Sequence, residues 1–149
     1  MSTLPRYRRP PMAREGAISL RKRPVRRLVY EVVARRARAA CELCGHGQDP
    51  LHCHHTYGRG HLPGIPAEVC DTEELILGLC NNDPREGRQG CHERIHSGDL
   101  ALMDQARWMA ISRFAGRQEL STIGLPGDPI DAMRELVRQV KQREEVSGG

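Results

Sequence analysis

The chain has 149 residues, six cysteines and a formal net charge of +4 at pH 7. This length fits one domain with extended ends. No run of about 18 apolar residues occurs, so no segment is expected to span a membrane. Only five side chains are aromatic, so the apolar core of the middle of the chain should be thin. Metal is the expected means of stabilising it.

Charge is distributed unevenly along the chain. Residues 1–40 contain twelve Lys and Arg against Glu15 and Glu31, whereas residues 41–149 carry an excess of acidic side chains. A basic segment of this kind suits binding to nucleic-acid phosphates. A solvated tail or a targeting peptide is the alternative, but the four prolines of the segment argue against a continuous targeting helix. We therefore expect residues 1–24 to form a flexible basic arm that binds DNA.

The first predicted element follows this arm. Apolar side chains recur at three- and four-residue spacing from Val25 to Ala40, which predicts a basic amphipathic helix leading into Cys41. The helix either presents its arginines to DNA or is a surface helix with solvated arginines. The arginines expected at DNA are Arg26, Arg27, Arg35 and Arg36.

The cysteines follow a metal-binding pattern. Cys41-x-x-Cys44 lies in a glycine-containing turn, which is typical of a zinc knuckle. No apolar signal segment precedes it, so reduced thiolates in the cytoplasm are expected rather than disulfides. A structural zinc ion takes four such ligands. Cys53 and Cys70 compete with Cys80 and Cys91 for the remaining two positions.

The later elements complete an α+β pattern. Strands are predicted at Leu51–Thr56 and Leu75–Leu79, with glycine- and proline-rich loops after each. A short helix begins at Cys91. Two further helices are predicted at Asp99–Phe114 and Pro129–Glu145, so that residues 99–149 form a helical C-terminal part.

A second metal site is indicated by histidines. Adjacent residues of a strand point to opposite faces, so His54 and His55 cannot both ligate one ion, and one is left to act on water. His92 and His96 are four residues apart on a helix and share a face. Imidazoles suit an open site that water or phosphate completes. The alternative is a structural zinc in which His92 or His96 replaces a cysteine; His46, His52 and His61 are expected in loops or at the surface.

As a set, Cys41/Cys44, His54-His55, the strand ending at Cys80, and Cys91-His92-x-x-x-His96 resemble the HNH endonuclease family. The resemblance covers residues 41–98 and is to the subgroup with a four-cysteine zinc site. It implies a small α+β fold with a ββα-metal core, the His-Me finger, and flanking helices. Ten residues separate Cys80 from Cys91 where the family has two. Glu74 or Leu75 stands where the family has an Asn that braces the loop of the catalytic histidine, a task for which Glu74 offers acceptor oxygens.

The resemblance implies an enzyme that hydrolyses DNA phosphodiester bonds and leaves a 5′-phosphate and a 3′-hydroxyl. His55 would be the general base, and the catalytic divalent ion would be Mg²⁺, Mn²⁺, Ni²⁺ or Zn²⁺. The implied ligands are His54, His92 and His96 for the catalytic ion, and Cys41, Cys44, Cys80 and Cys91 for the structural zinc.

DNA contacts are also expected beside the histidines. Arg59, between two glycines, and Arg94, on the ligand helix, could each reach a phosphate, with solvated arginine as the alternative. The alternative function is a non-catalytic, zinc-dependent DNA-binding module. His55 beside His54 separates the two functions, because such a module needs no free base. The sequence does not decide whether the protein forms a homodimer or binds a partner protein.

Overall fold

A computed structural model describes residues 27–58 and 62–148, and for Arg27 and Gly148 only the backbone. The expected arm, Arg26 and Arg59 lie outside the described residues. Within the described ranges, five α-helices surround one antiparallel two-stranded sheet. The elements in chain order are α1 Arg27–Ala37, β1 His52–His55, α2 Ala67–Cys70, a 3₁₀ turn Glu73–Leu75, β2 Ile76–Leu79, α3 Cys91–His96, α4 Leu100–Arg117 and α5 Pro129–Gly148.

Helix α1 ends three residues before the predicted end at Ala40. Arg38 and Ala39 adopt left-handed backbone angles, with φ of 54° and 57°, and these angles cannot continue a right-handed helix. The chain then reverses, and Ala40 pairs with Gly47 across the turn that contains the first two cysteines. The early end of α1 therefore determines where Cys41 lies relative to the sheet.

The sheet is short and closely covered by α1. His52 pairs with Leu79 and His55 with Ile76, so β1 and β2 are paired along their whole length. A Cβ atom at Gly78 would lie 3.2 Å from the Cβ of Ala37 and 3.3 Å from the side chain of Leu51. A larger residue at position 78 would therefore push α1 away from the sheet.

Both strands are shorter than the sequence predicted. Leu75 closes the 3₁₀ turn rather than opening β2, so the strand begins one residue later. The first strand stops at His55, but Thr56 extends the pairing because its backbone N and its Oγ1 both donate to the carbonyl of Leu75, at 3.1 and 2.8 Å. The segment predicted as loop before β2 also contains helix α2.

Helices α4 and α5 supply most of the largest cluster of buried apolar residues, and both run three residues past their predicted ends. The N-terminal half of α4 packs Leu102 and Ala106 against the cysteine-containing region. The C-terminal half packs Phe114 with α5 and with Tyr57, whose hydroxyl donates to the carbonyl of Pro129 at 2.9 Å. The middle of the chain thus shares a core with the C-terminal helices, which compensates for its few aromatic residues. In the described part of the chain, no helix combines the length and apolarity needed to cross a membrane.

Candidate metal centres

Four cysteines from separate parts of the chain meet at one point. Their sulfur atoms all lie within 4.8 Å of one another, and the Sγ atoms of Cys44 and Cys80 are 3.6 Å apart. Three of the four are buried and Cys44 is exposed. Four thiolates at such separations suit a closed tetrahedral site for a structural metal such as zinc. The members of this cysteine cluster are Cys41, Cys44, Cys80 and Cys91.

The surroundings of Cys44 favour its thiolate form, whereas burial raises the pKa of Cys80 and of Cys91. The backbone N–H of Cys41 donates to the carbonyl of His46 at 2.9 Å, and Gly45, at φ 81°, makes the reversal possible. Burial raises the pKa of Cys44, but the backbone N–H of His46 and the neighbouring thiols outweigh it and lower this pKa to about 6. The guanidinium of Arg88 also donates to Cys44 Sγ at 2.9 Å. Positive charge and N–H donors at sulfur favour the ionised ligand that metals require.

The long insertion between Cys80 and Cys91 folds back on itself. Asp83 and Arg88 pair through two backbone hydrogen bonds of 2.7 and 2.9 Å, which makes a small hairpin. At its base, a Cβ atom on Gly90 would lie 2.2 Å from the carbonyl carbon of Asn81, so only glycine lets the two ends of the insertion touch. The ends meet although ten residues separate the cysteines. The two competing cysteines lie elsewhere: Cys53 packs toward α1, and Cys70 is buried in the core formed with α4 and α5.

Three histidines form a second cluster, which we call the histidine cluster: His54 of β1 with His92 and His96 of α3. One nitrogen from each ring lies within 4.8 Å of the others. The Nε2 atoms of His92 and His96 are 3.0 Å apart, and the ring of His54 stands 5.7 Å from each of the other two rings. The ring nitrogens of two residues one turn apart on α3 and of one residue on β1 therefore meet at one point. A divalent ion fits this set of donors.

The surroundings of His54 and His92 favour neutral rings. His54 is only 9% exposed. Burial, followed by the fields of His92 and His96, lowers the pKa of His54 to about 4. Burial and the neighbouring His52 also lower the pKa of His92, opposed by Glu93. Neutral imidazole is the form that ligates metal.

His52 also belongs to this face of the sheet, a position that was not predicted from the sequence. It is exposed, as expected, but its ring stacks on that of His92 with centroids 3.8 Å apart and planes 26° apart. The signal was available, because His52 stands two residues before His54 and side chains at that spacing share a face of a strand.

His55 lies on the opposite face of β1. Its ring stands edge-on to Tyr30 of α1, with centroids 6.2 Å apart, and its Nε2 lies 3.2 Å from Oδ1 of Asp71. Asp71 directly follows α2, and no local pattern connects it with β1. Glu74, the residue considered as a brace in place of the family Asn, is buried in the 3₁₀ turn. Asp71 supplies a carboxylate that lies within contact distance of His55.

The arginines expected at DNA differ in their surroundings. The guanidinium of Arg36 donates to both carboxylate oxygens of Glu42, at 2.7 and 2.9 Å, and to two backbone carbonyls, so its contacts are internal. Arg94 pairs with Asp99 at 2.7 Å on the surface. Arg35 is exposed on α1. Of the other three, Arg26 and Arg59 lie outside the described residues, and only the backbone of Arg27 is described.

Comparisons with protein-family models, with curated proteins and with solved structures found no match to this chain. The fold is α+β, with a small antiparallel sheet and a cysteine cluster able to hold a structural metal such as zinc. A functional assignment therefore depends on the two clusters and on the contacts of His55.

Proposed function

We propose that this chain is a metal-dependent HNH endonuclease that hydrolyses phosphodiester bonds of DNA. The observation that supports the proposal most is the separation of two adjacent imidazoles: His54 converges with His92 and His96, whereas His55 contacts Asp71 on the other face of β1. A protein that only binds zinc gains nothing from that second imidazole.

The histidine cluster would hold the catalytic divalent ion through His54, His92 and His96. A bound divalent ion stabilises the charge that develops on the scissile phosphate and on the departing 3′ oxygen. Two of the three rings come from consecutive turns of one helix and the third from a strand, so the protein fixes their positions before any ion binds. The cysteine cluster fixes the start of that helix, because Cys91 immediately precedes His92.

His55 would act as the general base. Nε2 of His55 lies 3.2 Å from a carboxylate oxygen of Asp71. This carboxylate favours the tautomer with the proton on Nε2, so Nδ1 accepts the proton of the attacking water. The negative charge of Asp71 then stabilises the imidazolium that forms, as the carboxylate of a catalytic triad does. Proton transfer of this kind contributes about 10²- to 10⁴-fold to the rate. Water attack at phosphorus with release of the 3′ oxygen leaves a 5′-phosphate and a 3′-hydroxyl.

DNA would be held mainly by the basic N-terminal region. Residues 1–40 carry ten more basic than acidic side chains. Arg35 is exposed on α1 and suits a phosphate contact, whereas Arg36 braces α1 against Glu42 and suits one less well. Arg94 can reach DNA only by leaving its ion pair with Asp99, which costs little at an exposed site.

A plasmid-nicking assay with added divalent ions tests the proposal. His55→Ala should keep the fold, both metals and DNA affinity, and lose cleavage by about a hundredfold or more. Asp71→Asn should also slow cleavage. His96→Ala, at an exposed position, should lose the second metal and cleavage together. Cys53→Ala, on the same face of β1 as His55, is the matched control and should cut normally.

The same assay separates the two functions. Wild-type protein that binds DNA but cuts it with none of Mg²⁺, Mn²⁺, Ni²⁺ or Zn²⁺ would favour the non-catalytic DNA-binding module. Normal cutting by His55→Ala would show that the base is assigned wrongly.

A further inference from the structure

One carboxylate outside the histidine cluster contacts it directly. Oε2 of Glu93 lies 3.3 Å from Nδ1 of His92, the nitrogen on the far side of the ring from the cluster. A carboxylate oxygen accepts hydrogen bonds and, when ionised, cannot donate them. The contact therefore favours a proton on Nδ1 of His92 and leaves the lone pair on Nε2, which lies 3.0 Å from Nε2 of His96.

Glu93 is itself fixed by the insertion between the last two cysteines. Its other oxygen, Oε1, accepts the backbone N–H of Asn82 at 2.6 Å. Asn82 is held in turn because its Oδ1 accepts the backbone N–H of Gly90 at 2.9 Å, at the base of the insertion. The neighbouring Asn81 is tied to Gln48, beside the first cysteine pair, by hydrogen bonds of 2.6 and 3.1 Å. A continuous set of contacts thus runs from the cysteine cluster to His92.

The ring of His92 is also restrained on its face. His52 stacks on it at 3.8 Å, which limits tilting of the ring, whereas a hydrogen bond at Nδ1 decides which nitrogen points into the cluster. The stacking restrains the tilt of the ring, and the hydrogen bond restrains its rotation. Together they leave Nε2 of His92 as the atom presented to an ion.

We propose that Glu93 is a positioning residue that sets the tautomer and orientation of His92, and that the insertion between Cys80 and Cys91 holds Glu93 in place for this purpose. The inference deepens the proposed function, since it rests on the histidine cluster binding a divalent ion. Carboxylates that accept the second N–H of a metal-ligating histidine raise its affinity for metal, and their loss typically costs about 10- to 100-fold. The insertion would then contribute to the histidine cluster as well as to the cysteine cluster.

The first test is metal affinity, measured for the full chain with zinc retained in the cysteine cluster. Ni²⁺ or Co²⁺ is titrated into the histidine cluster in competition with a chromophoric chelator. Glu93→Ala should weaken binding by about 10- to 100-fold. Glu93→Gln keeps one acceptor oxygen for two donors and should fall between Glu93→Ala and wild type. Glu145→Ala, an exposed acidic position on α5, is the control and should bind like wild type.

The second test needs no variant. Long-range ¹H–¹⁵N correlation spectra of the wild-type protein, without the second metal, should show the proton of His92 on Nδ1. A proton on Nε2 would overturn the proposal even if Glu93→Ala failed to fold, and so would wild-type metal affinity in Glu93→Ala. Plasmid nicking is scored separately: weakened metal binding with the expected tautomer, in a protein that never cuts DNA, would refute the proposed function and leave the role of Glu93 standing.

Discussion

His54 and His55 are neighbours in the chain, yet their imidazoles lie on opposite faces of β1. The ring of His54 stands 5.7 Å from that of His92, whereas Nε2 of His55 lies 3.2 Å from a carboxylate oxygen of Asp71. The alternation of side chains along a strand separates them. Metal binding and proton transfer should therefore be separable by mutation, with His96→Ala removing the second metal and His55→Ala removing only the base.

The cysteine cluster should be needed for folding. Metal analysis should find about one tightly held zinc ion per chain, and Cys44→Ser should lose it and unfold, because the free energy of binding a structural metal is free energy of folding. Cys53→Ser is the control, since Cys53 packs beside Val33 and Ile76, outside the cluster, and should keep the zinc. A Cys44→Ser protein with full zinc content and an unchanged melting curve would contradict the assignment.

Glu42 should be important for stability. Its carboxylate binds Arg36 at 2.7 Å and Arg113 at 2.9 Å, and accepts the backbone N–H of Gly78 at 2.8 Å. Glu42→Ala leaves two partly buried guanidinium groups without this partner, and we expect the free energy of unfolding to fall by about 3 kcal/mol. Urea denaturation measures the change, with Glu145→Ala as the unaffected control. A loss below about 0.5 kcal/mol would place Glu42 with ordinary surface residues.

The contribution of Glu42 should also depend on pH. Burial raises the pKa of this carboxyl, but the hydrogen bonds from Arg36 and Gly78 outweigh it, so the pKa lies below the ordinary value of 4.5. The unfolded chain therefore binds the proton first as the pH falls, and stability declines. The difference in stability between wild type and Glu42→Gln should be constant above about pH 5.5 and shrink below about pH 4.5. A difference that stays constant down to about pH 3 would refute this.

His54 should titrate far below an ordinary histidine when the second metal is absent. Its pKa of about 4 results first from burial and then from the neighbouring imidazoles. Between about pH 6.5 and pH 4 the unfolded chain binds a proton that folded His54 does not. Protonation of the unfolded state should therefore lower stability as the pH falls through this window. NMR titration of the ring signals measures the pKa directly, and a midpoint near the ordinary value of about 6.5 would show that the ring is more open to water.

The N-terminal arm should contribute to DNA binding but not to the stability of the fold. Deleting residues 1–24 removes seven basic side chains. DNA affinity should weaken, and the slope of log K against log salt should decrease by about 0.9 for each phosphate that the arm no longer neutralises. Thermal melting of the shortened chain should match that of the full chain. An unchanged salt slope would mean that the arm binds no phosphate.

The sequence alone determined the groups that could meet at each centre. Histidines at i and i+4 of a helix must share a face, and neighbours on a strand must face apart, because backbone geometry repeats with fixed periods. Cys-x-x-Cys beside glycines likewise indicates a turn that presents two thiols. These local rules predicted α1, both strands and α3, including the end of β2 at Leu79 and the start of α3 at Cys91. The bounds of α1 and β1 differ from the prediction, because they depend on features such as the left-handed turn at Arg38 and Ala39.

The tertiary structure brings together the distant residues that complete the two clusters, a choice that local spacing alone left open. Six cysteines allow several sets of four, and in the structure Cys80 and Cys91 come together where Gly90 lies against the backbone of Asn81. Asp71 reaches His55, and Asn82 reaches Glu93, through the paths of loops that no local periodicity describes. Such contacts depend on how whole elements pack. A loop has no repeating backbone geometry, so its path is determined by the positions of the elements that it connects and of the residues around it.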